Sequence, residues 1–195
     1  MQLVYQALAN YLTADPERID RLIAYAKRTP YSDLGDYMGR YWVFNAFEDQ
    51  RGNRIDRNWL MNNVVPSARI HHIQRPDGDR HLHNHPWNAQ RIVLRGWYTE
   101  ELEGTNENIW RWLKGGSDLF IRDWSSSQAL VNRTLRAGDT APLRAGEFHR
   151  ISEVSEGGVW TLFITGRWRN PWGFKMDDGS FMQWRDYLAM TQKGY

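Results

Sequence analysis

The chain has 195 residues, enough for one domain with a sizeable hydrophobic core and an added segment. It contains no cysteine, which excludes a disulfide framework and leaves metal binding to histidine, aspartate, glutamate or asparagine. The formal net charge is only +2, and no run of about five basic residues occurs, which argues against a dedicated nucleic-acid surface.

No stretch of about 18 consecutive apolar residues is present, so we expect no membrane-spanning helix. The N-terminal residues do not have the pattern of a secretory signal, and a cytoplasmic location is the default expectation. Of the 25 basic residues 21 are arginine, and 11 tryptophans accompany them. Arginine and tryptophan could stack on each other across a β-rich surface, which is the interpretation we favour, or could bind an anionic substrate or single-stranded nucleic acid.

Two helices are predicted at the N-terminus, over residues 2–12 and 16–28, because apolar residues recur there at helical spacing. Asp15 is a good N-cap, and Pro16 suits the first helical position. We expect these helices to pack on the outside of the fold or to form the contact of a homodimer. Residues 31–66 are ambiguous between a short strand, a helical turn and loop.

From residue 68 onward the pattern changes to short segments rich in β-branched and aromatic residues, separated by turn-forming residues. Many short strands of this kind predict an antiparallel barrel or jelly roll. The tail predicts a hairpin closed by Asp178 and Gly179, followed by a short helix. We therefore divide the chain into an N-terminal helical extension, residues 1–64, and a barrel, residues 65–195.

Three histidines carry the strongest functional signal. His83 and His85 are two residues apart, so on an extended strand they project from the same face. A later glycine-rich turn, Gly138 to Arg150, delivers His149. Three imidazoles that meet around one ion suit iron, zinc, copper or nickel and leave coordination positions open for a substrate.

Both segments resemble the two motifs of the cupin superfamily. His83 and His85 are followed at the expected distance by Gly96, and Gly146 and His149 fall in the register of the second motif. The resemblance covers roughly residues 65–170. It implies a mostly β fold, a cupin-type antiparallel β-barrel (jelly roll) with N-terminal helices and a short C-terminal helix, and a bound divalent metal.

The glutamate that completes the cupin metal set is absent. Ala89 occupies its place, and Gln90 would face inward only if a bulge shifted the strand register. The remaining set of three histidines is similar to that of the thiol dioxygenases, which hold ferrous iron. In that family an arginine often receives the substrate carboxylate, a role that the resemblance gives to Arg91.

Further candidates surround these ligands. Gln90 and Trp87 are candidate substrate-binding residues beside Arg91. A buried guanidinium needs a carboxylate partner, which for Arg91 could come from the substrate or from Glu147. Glu147 could instead orient a ligand imidazole from the second shell, and His81 is a candidate second-shell or exchangeable ligand.

Other polar residues of this region are expected to be structural. Glu100 and Glu101 follow the glycine turn, and we expect both to be exposed. His71 and His72 point to opposite faces of one strand, so at most one of them can face the barrel interior.

The sequence thus favours a metal-dependent cupin enzyme, in the first place a mononuclear non-haem iron oxygenase with Fe(II) and a small anionic substrate. The alternative is a non-oxygenase cupin, an isomerase, lyase or hydrolase that uses Zn, Ni or Mn as a Lewis acid. A third hypothesis is a metal-free module that binds a small molecule or nucleotide.

Overall fold

The computed structural model describes residues 2–31, 34–78, 81–114, 118–124 and 129–191. The helices are α1 (Gln2–Thr13), α2 (Pro16–Ala26), α3 (Trp59–Asn63), α4 (Asn106–Lys114) and α5 (Trp184–Thr191). The strands are β1 (Met38–Phe44), β2 (Ser67–Ile73), β3 (Leu82–His83), β4 (Trp87–Arg95), β5 (Trp97–Gly104), β6 (Asp118–Trp124), β7 (Ala129–Arg136), β8 (Thr140–Leu143), β9 (His149–Val154), β10 (Val159–Trp168), β11 (Gly173–Lys175) and β12 (Phe181–Gln183).

The strands form two antiparallel sheets. One has the order β1-β2-β10-β4-β8 and the other the order β12-β11-β3-β9-β5-β7-β6. The sheets face each other across a hydrophobic core to which both contribute. Its buried residues are Ile73, Val93, Tyr98, Leu135, Ala141, Ile151 and Val159. This arrangement is the two-sheet jelly roll that the cupin resemblance implies, and the mostly β fold class with N-terminal helices and a short C-terminal helix is confirmed.

Helices α1 and α2 cover the outer face of the five-stranded sheet. Their apolar sides pack on the outward-facing residues of β2, β4 and β10, including Ile70, Ile92 and Leu162. The side chain of Asp15 accepts a hydrogen bond from the backbone N–H of Glu17 at 3.0 Å, so the predicted N-cap is formed. Because the helices cover the outer face and the second sheet covers the inner face, both faces of the central strands in this sheet are buried.

Three parts of the chain differ from the sequence prediction or complete it. The ambiguous segment contains β1, which pairs with β2 at the edge of the five-stranded sheet. Helices α3 and α4 were not predicted. The division between residues 1–64 and 65–195 stays a prediction, although β1 lies within the first range and belongs to a sheet of the second. Among the described residues, no helix has both the length and the apolar character needed to cross a bilayer.

The turn between β4 and β5 depends on Gly96. Its φ is +79°, and a Cβ there would lie 2.5 Å from Ser155 Oγ and 2.7 Å from the carbonyl oxygen of Gly158. Gly157 has a similar φ, +76°, but open space where its Cβ would be. Alanine substitutions at Gly96 and Gly157 therefore distinguish the cost of backbone strain from the cost of steric conflict.

We expect Gly96→Ala to destabilise the protein more than Gly157→Ala does. Left-handed backbone costs an alanine about 1–2 kcal/mol at either position. At Gly96 the conflict with the neighbouring loop adds about 1–3 kcal/mol. Urea unfolding of both variants measures the difference, and equal losses would contradict the contacts described for Gly96.

Candidate metal centre

The three predicted histidines converge between the two sheets. His83 on β3 and His149 on β9 are direct cross-strand partners. His85 lies in the segment that leads from β3 in one sheet to β4 in the other. One ring nitrogen from each histidine lies within 4.8 Å of the others, and the Nε2 atoms of His85 and His149 are 3.0 Å apart. The structure thus brings the three histidines into one cluster.

Backbone hydrogen bonds hold the segment that carries His83 and His85. Asn84 lies between them, faces the other way, and bonds to Gly173 through both its backbone N–H and its side-chain oxygen, at 3.0 and 2.9 Å. The carbonyl oxygen of His85 accepts a bond from Gly146 N–H at 3.2 Å. The carbonyl oxygen of Pro86 accepts a hydrogen bond from the backbone N–H of Arg169 at 2.6 Å. The two imidazoles are therefore presented by a segment fixed on both sides.

His149 is oriented by a buried carboxylate. Its Nδ1 lies 2.9 Å from Oε2 of Glu100, which is fully buried on β5. Glu100 also accepts bonds from Arg91 at 2.5 Å and from Arg133 Nε at 2.8 Å. Burial alone would raise the pKa of Glu100, but Arg133, Arg91 and the bond from His149 outweigh it and hold that pKa well below its usual range.

A second carboxylate lies beside His83. Oδ2 of Asp77 is 3.8 Å from His83 Nδ1, within ion-pair range but longer than a hydrogen bond. The same oxygen accepts the backbone N–H of Ile151 at 2.7 Å, and the other oxygen accepts the hydroxyl of Tyr37. Asp77 is therefore fixed near His83 by its own hydrogen bonds.

The cluster fits a divalent metal ion. Loss of solvation, followed by the proximity of His149 and His83, lowers the pKa of His85 well below its usual value, so this imidazole is a neutral donor. Because Glu100 is charged, Nδ1 of His149 carries the proton and its Nε2 presents a lone pair. Two nitrogens about 2.0–2.1 Å from one ion lie about 3 Å apart at a right angle, close to the 3.0 Å separation of His85 and His149.

The structure gives Arg91 and Glu147 other partners than those expected from the sequence. Arg91 faces inward and is buried, as expected, but its carboxylate partner is Glu100 and not a residue of the second motif. Glu147 instead pairs with Arg111 of α4 and accepts the backbone N–H of Arg144 at 2.9 Å. Arg91 is therefore engaged by Glu100, and the hydrogen bonds of Glu147 go to Arg111 and Arg144.

Gln90 and His81 are not brought to the cluster. Gln90 pairs with Ile164 of β10 and Pro142 of β8, alternates with the inward-facing Arg91, and donates to Thr140 Oγ1 at 2.6 Å. His81 contacts the C-terminal segment, with Nδ1 3.0 Å from the hydroxyl of Tyr187 and Nε2 3.3 Å from Asp177. Neither Gln90 nor His81 therefore belongs to the group of clustered histidines.

Trp87 does lie beside the cluster. Its ring centroid is 5.7 Å from that of His85, and the ring of Phe163 is 6.2 Å from His85 on another side. Both aromatic rings also contact the guanidinium of Arg69, each at 5.1 Å. Trp87 and Phe163 therefore connect the histidine cluster with Arg69, a residue that the sequence analysis did not single out.

Arg69 is a buried cation without an acidic partner. It is 4% exposed, and its Nε has no hydrogen-bond acceptor among the described residues. No carboxylate of the described chain lies in ion-pair range of it. Five aromatic rings surround it at 5.1–5.9 Å: Tyr31, Trp42, Phe47, Trp87 and Phe163. Burial, reinforced by the nearby charge of Arg40, lowers its pKa to about 10, although Tyr31 and Glu48 oppose the shift.

The structure corrects one of the two expectations for polar neighbours and confirms the other. Glu100 and Glu101 are buried, not exposed, because β5 continues well past the glycine turn. His71 faces the interior and stacks on Phe163, whereas His72 lies on the outer face and stacks on Trp160. Opposite faces were expected for these two histidines, and this is confirmed.

No family model and no curated protein sequence matches the chain. Among solved structures, it is similar to oxalate decarboxylase of Bacillus subtilis, a protein with Mn(II) centres, with 14% identity over 85% of this chain and 33% of that chain and a TM-score of 0.45. The formate complex of oxalate decarboxylase from Lactobacillus farciminis gives 15% identity, 84% and 36% coverage and a TM-score of 0.43.

A third similar structure is a Ralstonia eutropha protein whose assignment as a mannose-6-phosphate isomerase is provisional. It shows 13% identity over 52% of this chain and 74% of that chain, with a TM-score of 0.35. This chain spans about a third of the length of the oxalate decarboxylases. Similarities this low do not assign a substrate or a reaction to the chain. The candidate metal centre is therefore based on the chain's own histidines.

Proposed function

We propose that this chain is a metal-dependent enzyme of the cupin type that acts on a small anionic substrate. The observation that carries the proposal is the convergence of His83, His85 and His149, whose ring nitrogens lie within 4.8 Å of one another. Neutral imidazoles in this arrangement are a donor set for a transition metal with open coordination positions. The finer proposal is a mononuclear Fe(II) oxygenase, since a site of three histidines is similar to that of the thiol dioxygenases.

The chain supplies binding, orientation and exclusion of water. Bound iron would contribute the redox chemistry that amino-acid side chains lack. Trp87 and Phe163 form an apolar wall between the histidines and Arg69. A substrate held against this wall would lie in a low-dielectric environment, in which its contacts with charged groups are strong.

Arg69 replaces Arg91 as the proposed receptor for the anionic end of the substrate. A buried charge without a counter-ion is costly. Each aromatic ring whose face contacts the cation offsets only about 0.5–2 kcal/mol of this cost. Burial also lowers the pKa of Arg69, the direction expected for a guanidinium group removed from water. An anionic group of the substrate bound beside Arg69 would offset the cost of this buried charge. The rest of the substrate would then extend past Phe163 to the metal centre.

The decisive experiment is anaerobic reconstitution of the tag-free chain with ferrous iron, followed by oxygen uptake across a panel of thiols and small carboxylic acids. We expect uptake by the iron-loaded protein with at least one anionic substrate, and none by the apo- or zinc-loaded protein. Iron that binds stoichiometrically without any uptake above the apo-protein would contradict the oxygenase proposal.

A second candidate is a non-oxygenase metalloenzyme, an isomerase, lyase or hydrolase with Zn, Ni or Mn. The observation that favours it is the neutral ligand set, because three imidazoles leave the charge of the ion undiminished for polarising a substrate. Elemental analysis of the purified chain separates the two candidates: iron favours the first and stoichiometric zinc, nickel or manganese the second. A chain with no metal, whose thermal stability does not change on chelation, would instead support a metal-free binding module.

A further inference from the structure

Both carboxylate oxygens of Glu100 accept hydrogen bonds from neighbouring side chains. It is fully buried, Oε2 receives His149 Nδ1 and Arg91, and Oε1 receives Arg133. Arg91 comes from the five-stranded sheet and Arg133 from the seven-stranded sheet. The carboxylate is thus fixed from both sides of the core and cannot rotate without breaking several charge-assisted bonds.

The bond to His149 determines which nitrogen that residue presents. A charged carboxylate accepts the proton of Nδ1, so the tautomer with a free lone pair on Nε2 is stabilised. That Nε2 is the atom which lies 3.0 Å from Nε2 of His85. Asp77 lies farther from His83, at 3.8 Å, so the equivalent contact there is weaker.

We propose that Glu100 is the positioning residue of the metal centre, which orients His149 as an Nε2 ligand and does not itself bind the metal. Glu100 lies at the Nδ1 edge of the imidazole, and moving to the ion would leave two buried guanidinium groups unpaired. The carboxylate missing from the first motif at Ala89 is therefore not replaced in the ligand set. This inference depends on the metal centre of the proposed function and adds the residue that fixes its geometry.

The first test compares Glu100→Asp with Glu101→Asp. The shorter aspartate keeps the negative charge between the arginines but withdraws it from His149. Glu101 is a matched control, since it is the next residue on β5, is also buried, and pairs with Arg122 and Arg150 on the other face. Circular dichroism and the melting temperature of each apo-protein show whether the variant is folded.

Co(II) is the probe, with affinity measured by competition against a chelator and coordination followed by visible absorption. We expect Glu100→Asp to bind Co(II) about 10–100-fold more weakly, the usual effect of losing an outer-shell partner, with an altered spectrum. Glu101→Asp should match the wild type in both measurements. Unchanged affinity and spectrum in Glu100→Asp would overturn the inference, whereas a wild-type chain that binds no Co(II) would overturn the proposed function itself.

A second measurement needs no variant and decides the question if Glu100→Asp does not fold. Long-range ¹H–¹⁵N correlation spectra of the wild-type apo-protein report the tautomer of each histidine. The geometry requires the Nδ1–H form for His149. An Nε2–H form, or exchange between the two forms, would show that Glu100 does not hold the ring and would overturn the inference without reference to metal.

Discussion

Replacing His149 by alanine should abolish stoichiometric metal binding. His149 is the only one of the three clustered histidines on β9, so its loss leaves two imidazoles on a single segment. Loss of a ligand should exceed the about 10–100-fold loss of affinity that follows removal of an outer-shell partner. Co(II) titration and elemental analysis of the purified variant measure the effect.

The fold should survive this substitution, because Glu100 keeps its ion pairs with Arg91 and Arg133. His72→Ala is the matched control: the same chemical change on the outer face of β2, where the ring stacks on Trp160. We expect this control to bind metal as the wild type does. Full metal occupancy in folded His149→Ala would refute the three-histidine centre.

Replacing Arg69 by methionine should have two opposite effects. In the metal-loaded protein, the affinity for small carboxylates should fall by about 2–5 kcal/mol, the range for truncating one partner of a buried charged pair. In the absence of anions the same variant should be more stable than the wild type. Burial lowers the pKa of Arg69 to about 10, which corresponds to a destabilisation of about 3 kcal/mol, so we expect a gain of this order in the variant.

Isothermal titration with each carboxylate and urea unfolding in anion-free buffer measure the two effects separately. Arg95→Met is the control, because Arg95 is an exposed arginine paired with Asp20 on the helix-covered side. That variant should change neither carboxylate affinity nor, beyond about 1 kcal/mol, stability. Wild-type carboxylate affinity in Arg69→Met would show that the anion binds elsewhere.

The fold and the clustering of the three histidines could be predicted from sequence because their signals are local. His83 and His85 share a strand face by simple alternation, and the turns at Gly96 and Gly146 set the strands on either side. Helix α2 has its N-cap and proline in consecutive positions. Each of these patterns is complete within a few residues, so no knowledge of distant contacts is required.

The surroundings of the ligands could not be predicted in the same way. Glu100 lies on the inner face of β5 between Tyr98 and Leu102, and a charged residue there looks exposed until Arg91 and Arg133 are seen to pair with it. The apolar residues on both sides of it were the available signal.

Arg69 was missed for a related reason. Helices α1 and α2 bury the outer face of β2, so the apolar residues Ala68 and Ile70 lie on that face. The polar residues Ser67, Arg69 and His71 alternate with them and are buried on the inner face, which is the reverse of the pattern expected for a sheet with one exposed side. Helix α4 was also overlooked, although Ile109 and Trp112 are spaced at one helical turn and both are buried. In each case the missing information was the identity of a neighbour far away in the sequence.

Strand β3 contains only two residues, and its ladder with β9 consists of the single pair His83 and His149. So short a pairing contributes little by itself to joining β3 and β9, which lie side by side within the seven-stranded sheet. An ion shared by the two partners would cross-link chain segments that are distant in sequence, as a disulfide does in oxidising compartments. The chain has no cysteine for that purpose. The resistance to proteolysis of the region where β3 meets β9 would therefore increase when metal is bound.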